Sequence, residues 1–132
     1  MRVALGLLLQ QDLKRKIWRT MPNHWPDNLS ASITVADADG IITYMNAASA
    51  QVFSADGGLQ LIGTNVLDCH PEPSRTQLAQ MYKDRQPNHY TIEKNGQRKI
   101  IHQMPLFDGD RFCGYVEISI PIPDHLSHFK RD

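Results

Sequence analysis

The chain has 132 residues, with 14 basic and 14 acidic side chains and a formal net charge of zero. That balance argues against an electrostatic grip on nucleic acid, and two cysteines are too few for a disulfide framework. Apolar content of 41% suits one soluble globular domain with a core of its own.

Leu5, Leu9, Leu13 and Ile17 recur every four residues and predict an amphipathic helix over 3–20, stopped by Pro22. Its apolar stripe needs a cover, either the outer face of a sheet or the same helix of a second copy. The apolar run Val3–Leu9 is followed by polar Gln10-Gln11-Asp12 in place of a cleavage site, so no signal peptide is expected. No stretch approaches the ~20 apolar residues that span a bilayer. Residues 21–31, with Pro22 and Pro26, read as a linker.

From Ser32 the pattern changes. Ile33 and Val35 alternate with polar or small residues, Asp39-Gly40 supplies a tight turn, and Ile41, Ile42 and Tyr44 carry a second strand. Asn46 stands at the N-cap of a short helix over 47–53. Ala55-Asp56-Gly57-Gly58 breaks it, and short helical turns are expected over 59–67. Cys69-His70-Pro71-Glu72-Pro73 is stiffened by its prolines. Ser74 and Gln77 have capping-box spacing and open a helix that ends near Arg85, with Leu78, Met81 and Tyr82 on its buried face.

Three strands follow, over 88–93, 97–106 and 111–122. Asn95-Gly96 and Asp108-Gly109 mark the hairpins between them. In the last strand Phe112, Gly114, Val116, Ile118, Ile120 and Ile122 share one face, while Cys113, Tyr115, Glu117 and Ser119 share the other. The tail 123–132 is polar.

The order of helix, two strands, short helices, longer helix and three strands, with the Asp39-Gly40 hairpin and Asn46, resembles a PAS domain. Gly63-Thr64-Asn65-Val66-Leu67-Asp68-Cys69-His70-Pro71, Gln103-Met104-Pro105-Leu106 and Gly114-Tyr115-Val116-Glu117 look like a bacterial and archaeal subgroup of that family. The resemblance implies an α+β fold: a five-stranded antiparallel sheet with helices on one face and the amphipathic helix leading in. It divides the chain into 1–31 (helix and linker), 32–122 (the PAS domain) and 123–132 (tail). It implies a sensory domain for signal transduction that binds a small ligand and mediates dimerisation, not an enzyme. The alternative is an interaction module with a filled core.

By that resemblance an apolar pocket is lined by Phe53, Leu78, Met81, Tyr82, Ile100, His102, Val116 and Ile118, with Val52, Leu61 and Val66 nearby. Cys69 and His70 border it, and His70 is the candidate ligand should the pocket hold haem iron. His102 lies mid-strand with Ile100 and Met104; the opposite face, Ile101 and Gln103, is an open alternative as the inner one. The cofactor is unknown, either haem or a small apolar ligand. The expected partners are that ligand and a second copy, joined through the leading helix and the sheet face, with no nucleic acid and no membrane. Two free thiols point to a reducing cytoplasm.

Overall fold

The computed structural model describes residues 25–132 together with Gly6, Leu9 and Gln10. The helix expected over 3–20 therefore lies almost wholly outside the described residues. The elements are β1 (Ser32–Asp37), β2 (Ile42–Met45), α1 (Ala47–Val52), α2 (Ser74–Asp84), β3 (Asn88–Lys94), β4 (Gln97–Asp108) and β5 (Arg111–Pro121). Short 3-10 turns cover Trp25–Asn28, Ser54–Asp56 and Gly58–Leu61. The five strands form one sheet in the order β2-β1-β5-β4-β3, antiparallel at every step.

Each turn has a local cause. Between β1 and β2, Gly40 takes φ +84° and donates its N–H to the Asp37 carbonyl (3.0 Å). The side chain that holds this turn is Asp37, not Asp39: its Oδ1 accepts from Asp39 N–H (2.9 Å) and Ile41 N–H (3.0 Å). Asn95 and Gly96, at φ +54° and +76°, close the β3–β4 hairpin as the dipeptide predicts.

Asn46 caps α1 and does much more. Its Oδ1 accepts from Ser49 N–H (2.9 Å) and from Ile33 N–H (3.0 Å) in β1. Its Nδ2 donates to the carbonyls of Ala31 (2.7 Å) and Pro26 (2.9 Å). One side chain, 1% exposed, thus joins the entry segment, the first strand and the first helix.

The start of α2 differs from expectation. Ser74 is already helical and Pro73 occupies the cap without a side-chain bond. The Glu72 carboxylate does that work, accepting from Thr76 N–H (3.3 Å) and Thr76 Oγ1–H (2.6 Å). The other end is tied to the sheet by Tyr115, whose hydroxyl proton is shared between the carbonyls of Met81 (2.7 Å) and Gln86 (2.9 Å). Replacing Tyr115 by Phe leaves the Gln86 carbonyl without its donor, while the Met81 carbonyl keeps Arg85 N–H at 2.7 Å. A loss of about 1–2 kcal/mol in urea-induced unfolding is expected.

Residues of β4 and β5 sort into faces by their register. Thr34, Glu117, Gln103 and Asn88 are paired in one row across four strands. Ala36 and Tyr115, and Ile101 and Ser119, are paired on the same face, which packs under the helices. Val35, Val116 and Met104 are paired on the outer face, as are Ile33, Ile118, His102 and His89, and Ile100 and Ile120. The expectation that Ile100, His102 and Ile118 face the helices is therefore reversed. Phe112 also changes sides. A bulge between Leu106 and Phe107 leaves Cys113 unpaired and returns Phe112 to the helix side, where it meets Tyr82 and Tyr115 edge-on.

Candidate functional site

A cavity of about 260 Å³ lies between the inner sheet face and the helices. Its walls come from every layer. The sheet gives Thr34, Ala36, Ile42, Met45, Gln103, Tyr115, Val116 and Glu117. The segment from Phe53 to His70 gives Phe53, Asp56, Leu61, Val66, Cys69 and His70, and α2 gives Leu78, Met81 and Tyr82. Most of this surface is apolar, as small-molecule sites usually are.

Of the residues singled out in the sequence, Phe53, Leu61, Val66, Cys69, His70, Leu78, Met81, Tyr82 and Val116 border the cavity. Val52 does not; it is 48% exposed. Ile100, His102 and Ile118 stand on the opposite face, where strand alternation places them. There His102 meets His89 across the strand pair, Nδ1 to Nδ1 at 2.7 Å, so one ring donates and the other accepts.

The polar part of the site is a hydrogen-bonded chain on the cavity floor. Asn88 Nδ2–H donates to Gln103 Oε1 (2.9 Å), and Gln103 Nε2–H donates to Glu117 Oε2 (2.8 Å). Beyond Glu117, Thr34 and Ser49 share a hydroxyl contact of 2.5 Å. Sequence reasoning held Gln103 only as an alternative inner-face residue and did not single out Glu117. The signal was there: each is a polar side chain on the strand face that also carries Ile101 or Tyr115.

His70 lies against the cavity with Nδ1 2.6 Å from the Val66 carbonyl. A carbonyl only accepts, so Nδ1 carries a proton, and in the neutral ring Nε2 is left as an acceptor. Tyr82 stands on the other wall. Burial, the Asp37 charge and Tyr115, in that order, push its phenol up to about 12, so it stays protonated at neutral pH. Its buried hydroxyl has no hydrogen-bond partner among the described residues.

A second cavity of about 340 Å³ opens between α2 and β3 and shares His70, Leu78, Met81 and Gln103 with the first. Leu78 and Met81 thus form a partition between the two. His70 Nε2 suits a metal axial position. The space on the inner side, however, falls below the roughly 300–1,000 Å³ of drug-sized sites. A porphyrin does not fit there while the partition stands. No group of three or more metal-ligating side chains occurs among the described residues.

A family model described as the PAS fold matches residues 27–119. The chain belongs to the PAS family. This PAS domain is also similar in structure to a C-terminal domain from Streptococcus mutans, at 20% identity and TM-score 0.60, covering 72% of this chain and 78% of that one. The Aer2 receptor of Vibrio cholerae, described as a dual PAS-heme oxygen sensor, matches at 18% identity and TM-score 0.56, covering 70% and 95%. A sensory box sensor histidine kinase of Vibrio cholerae matches at 14% identity and TM-score 0.55, covering 92% and 98%. These likenesses establish the fold. No curated protein matches the chain. The sheet with helices on one face, expected from the sequence, is the PAS architecture observed.

Proposed function

We propose that this PAS domain is a sensory module for signal transduction, which binds a small, mostly apolar molecule in the 260 Å³ cavity and passes occupancy to a second copy. The cavity is the observation that carries the reading. A domain built only to pair with another chain has no need for a hollow of this size, since native interiors are close-packed. Kinases and receptors among the structures sharing this fold agree with a sensory role.

β5 offers a route for the signal. Tyr115, Val116 and Glu117 border the cavity, and strand alternation places Val116 and Ile118 on the outer face in register with Val35 and Ile33. That face is apolar and ends in Ile120, which is 42% exposed. It is the surface proposed to receive the leading helix of this chain or its copy. A ligand that binds one arrangement of β5 better than another shifts the equilibrium between them. The domain is read as a binding module, not an enzyme, that works in the cytoplasm with Cys69 and Cys113 reduced.

The test is mass spectrometry and absorption spectroscopy of natively purified protein, followed by melting with the recovered molecule added back. A small organic molecule that stabilises by about 2.7 kcal/mol at a hundred times its Kd is expected. A Soret band lost in His70→Ala would replace this reading with a haem site. A protein that is empty and unmoved by extracts of its source would support the filled-core alternative.

A further inference from the structure

We infer that the cavity selects a small organic cation, an amine with an apolar body, and that Glu117 is the residue that selects it. This rests on the reading of the cavity as a ligand site and adds the chemistry of the ligand.

The inference follows from counting donors and acceptors on the wall. Gln103 gives one of its two amide hydrogens to Glu117 Oε2, and its carbonyl accepts from Asn88. The chain therefore runs donor to acceptor and ends on the carboxylate. Glu117 Oε1 has no hydrogen-bond partner among the described residues. Among the described residues no Lys or Arg lines either cavity, while Glu117 and Asp56 both line the first. Glu117 is half-buried and has no basic partner among the described residues, so a cationic guest adds a charge-assisted hydrogen bond that no neighbour supplies.

The remaining polar groups accept as well. In the neutral ring His70 offers Nε2 as an acceptor, because Nδ1 donates to Val66. The Tyr82 oxygen is buried and unpartnered. An ammonium group has three donors and no acceptor. An anion meets the Glu117 and Asp56 carboxylates on the same wall, with no Lys or Arg among the described lining residues to offset them. Phe53, Tyr82 and Tyr115 add aromatic rings to the same wall, and ring faces attract cations. The volume limits the guest to a single-ring or short-chain amine.

Three probes of nearly equal shape separate charge from size: benzylammonium, benzyl alcohol and benzoate. Isothermal titration of the full chain at neutral pH is expected to show benzylammonium binding at least about tenfold tighter than benzyl alcohol, with benzoate undetectable. In Glu117→Gln the preference for the cation is expected to fall to within about twofold. Comparing the cation with the alcohol on the unmodified protein needs no variant, so the test survives a Glu117→Gln chain that folds poorly. Benzyl alcohol binding as well as the cation overturns the charge selection and leaves the cavity reading standing. Binding by none of the three overturns both.

Discussion

Asn46→Ala is expected to lower stability by about 3–5 kcal/mol, on the order of 15 °C in Tm. A helix cap alone is worth about 1 kcal/mol. Asn46 is worth more because the substitution strands three backbone groups at once. Ser49 and Ile33 lose the acceptor of their N–H groups and the Ala31 carbonyl loses its donor, while the Pro26 carbonyl keeps Leu29 N–H at 3.3 Å. Buried groups left unpaired each cost about 1–3 kcal/mol, less whatever water recovers. Asn46→Asp keeps both acceptor bonds but aims an oxygen at two carbonyls. It is expected to do no better than Ala. Urea unfolding with an unchanged m-value measures both. A loss under about 1 kcal/mol would reduce Asn46 to an ordinary cap.

Gly114→Ala is expected to cost more than about 3 kcal/mol. Two independent causes act together. Gly114 sits at φ +130°, where a side chain strains the backbone. A Cβ there would also overlap the Ala36 carbonyl oxygen and lie 2.7 Å from the Asp37 carbonyl carbon. Both obstacles are backbone of β1, so relief requires the β1–β5 pairing to open. Gly109→Ala separates the two causes. Its φ is +61° but its surroundings are open. It therefore isolates the strain, and about 1–2 kcal/mol is expected. Equal losses at the two sites would show that close approach at Gly114 contributes nothing.

The strands and hairpins were legible because their signals are local. Asn95-Gly96 and Gly40 turn where the sequence says, and Asn46 caps where a cap is needed. The long-range half of Asn46 was not legible. Its bonds to Pro26 and Ala31 depend on how the chain enters the domain, which no local pattern encodes. The faces of β4 and β5 misled for a physical reason. Alternation says which residues share a face, and the greasier face is then taken as the inner one. Here the inner face carries Gln103, Glu117, Ser119 and Thr34 because it floors a cavity with a polar chain. The outer face carries Val116, Ile118 and Ile120. The opposite choice, Ile101 and Gln103 inward, is the one observed. The bulge at Cys113 adds one residue to β5 and moves Phe112 across the sheet. A single inserted position has no compositional mark.

That a small guest lies between sheet and helices is tested most directly by methyl NMR during titration with benzyl alcohol, the neutral probe. Shift changes are expected at Met45, Leu61, Val66, Leu78 and Met81, which line the cavity. Ile33, Ile118 and Ile120, on the far side of the sheet, should stay still or follow weakly. Changes centred on those three isoleucines, with the first five unmoved, would place binding on the outer face and contradict a ligand-filled interior.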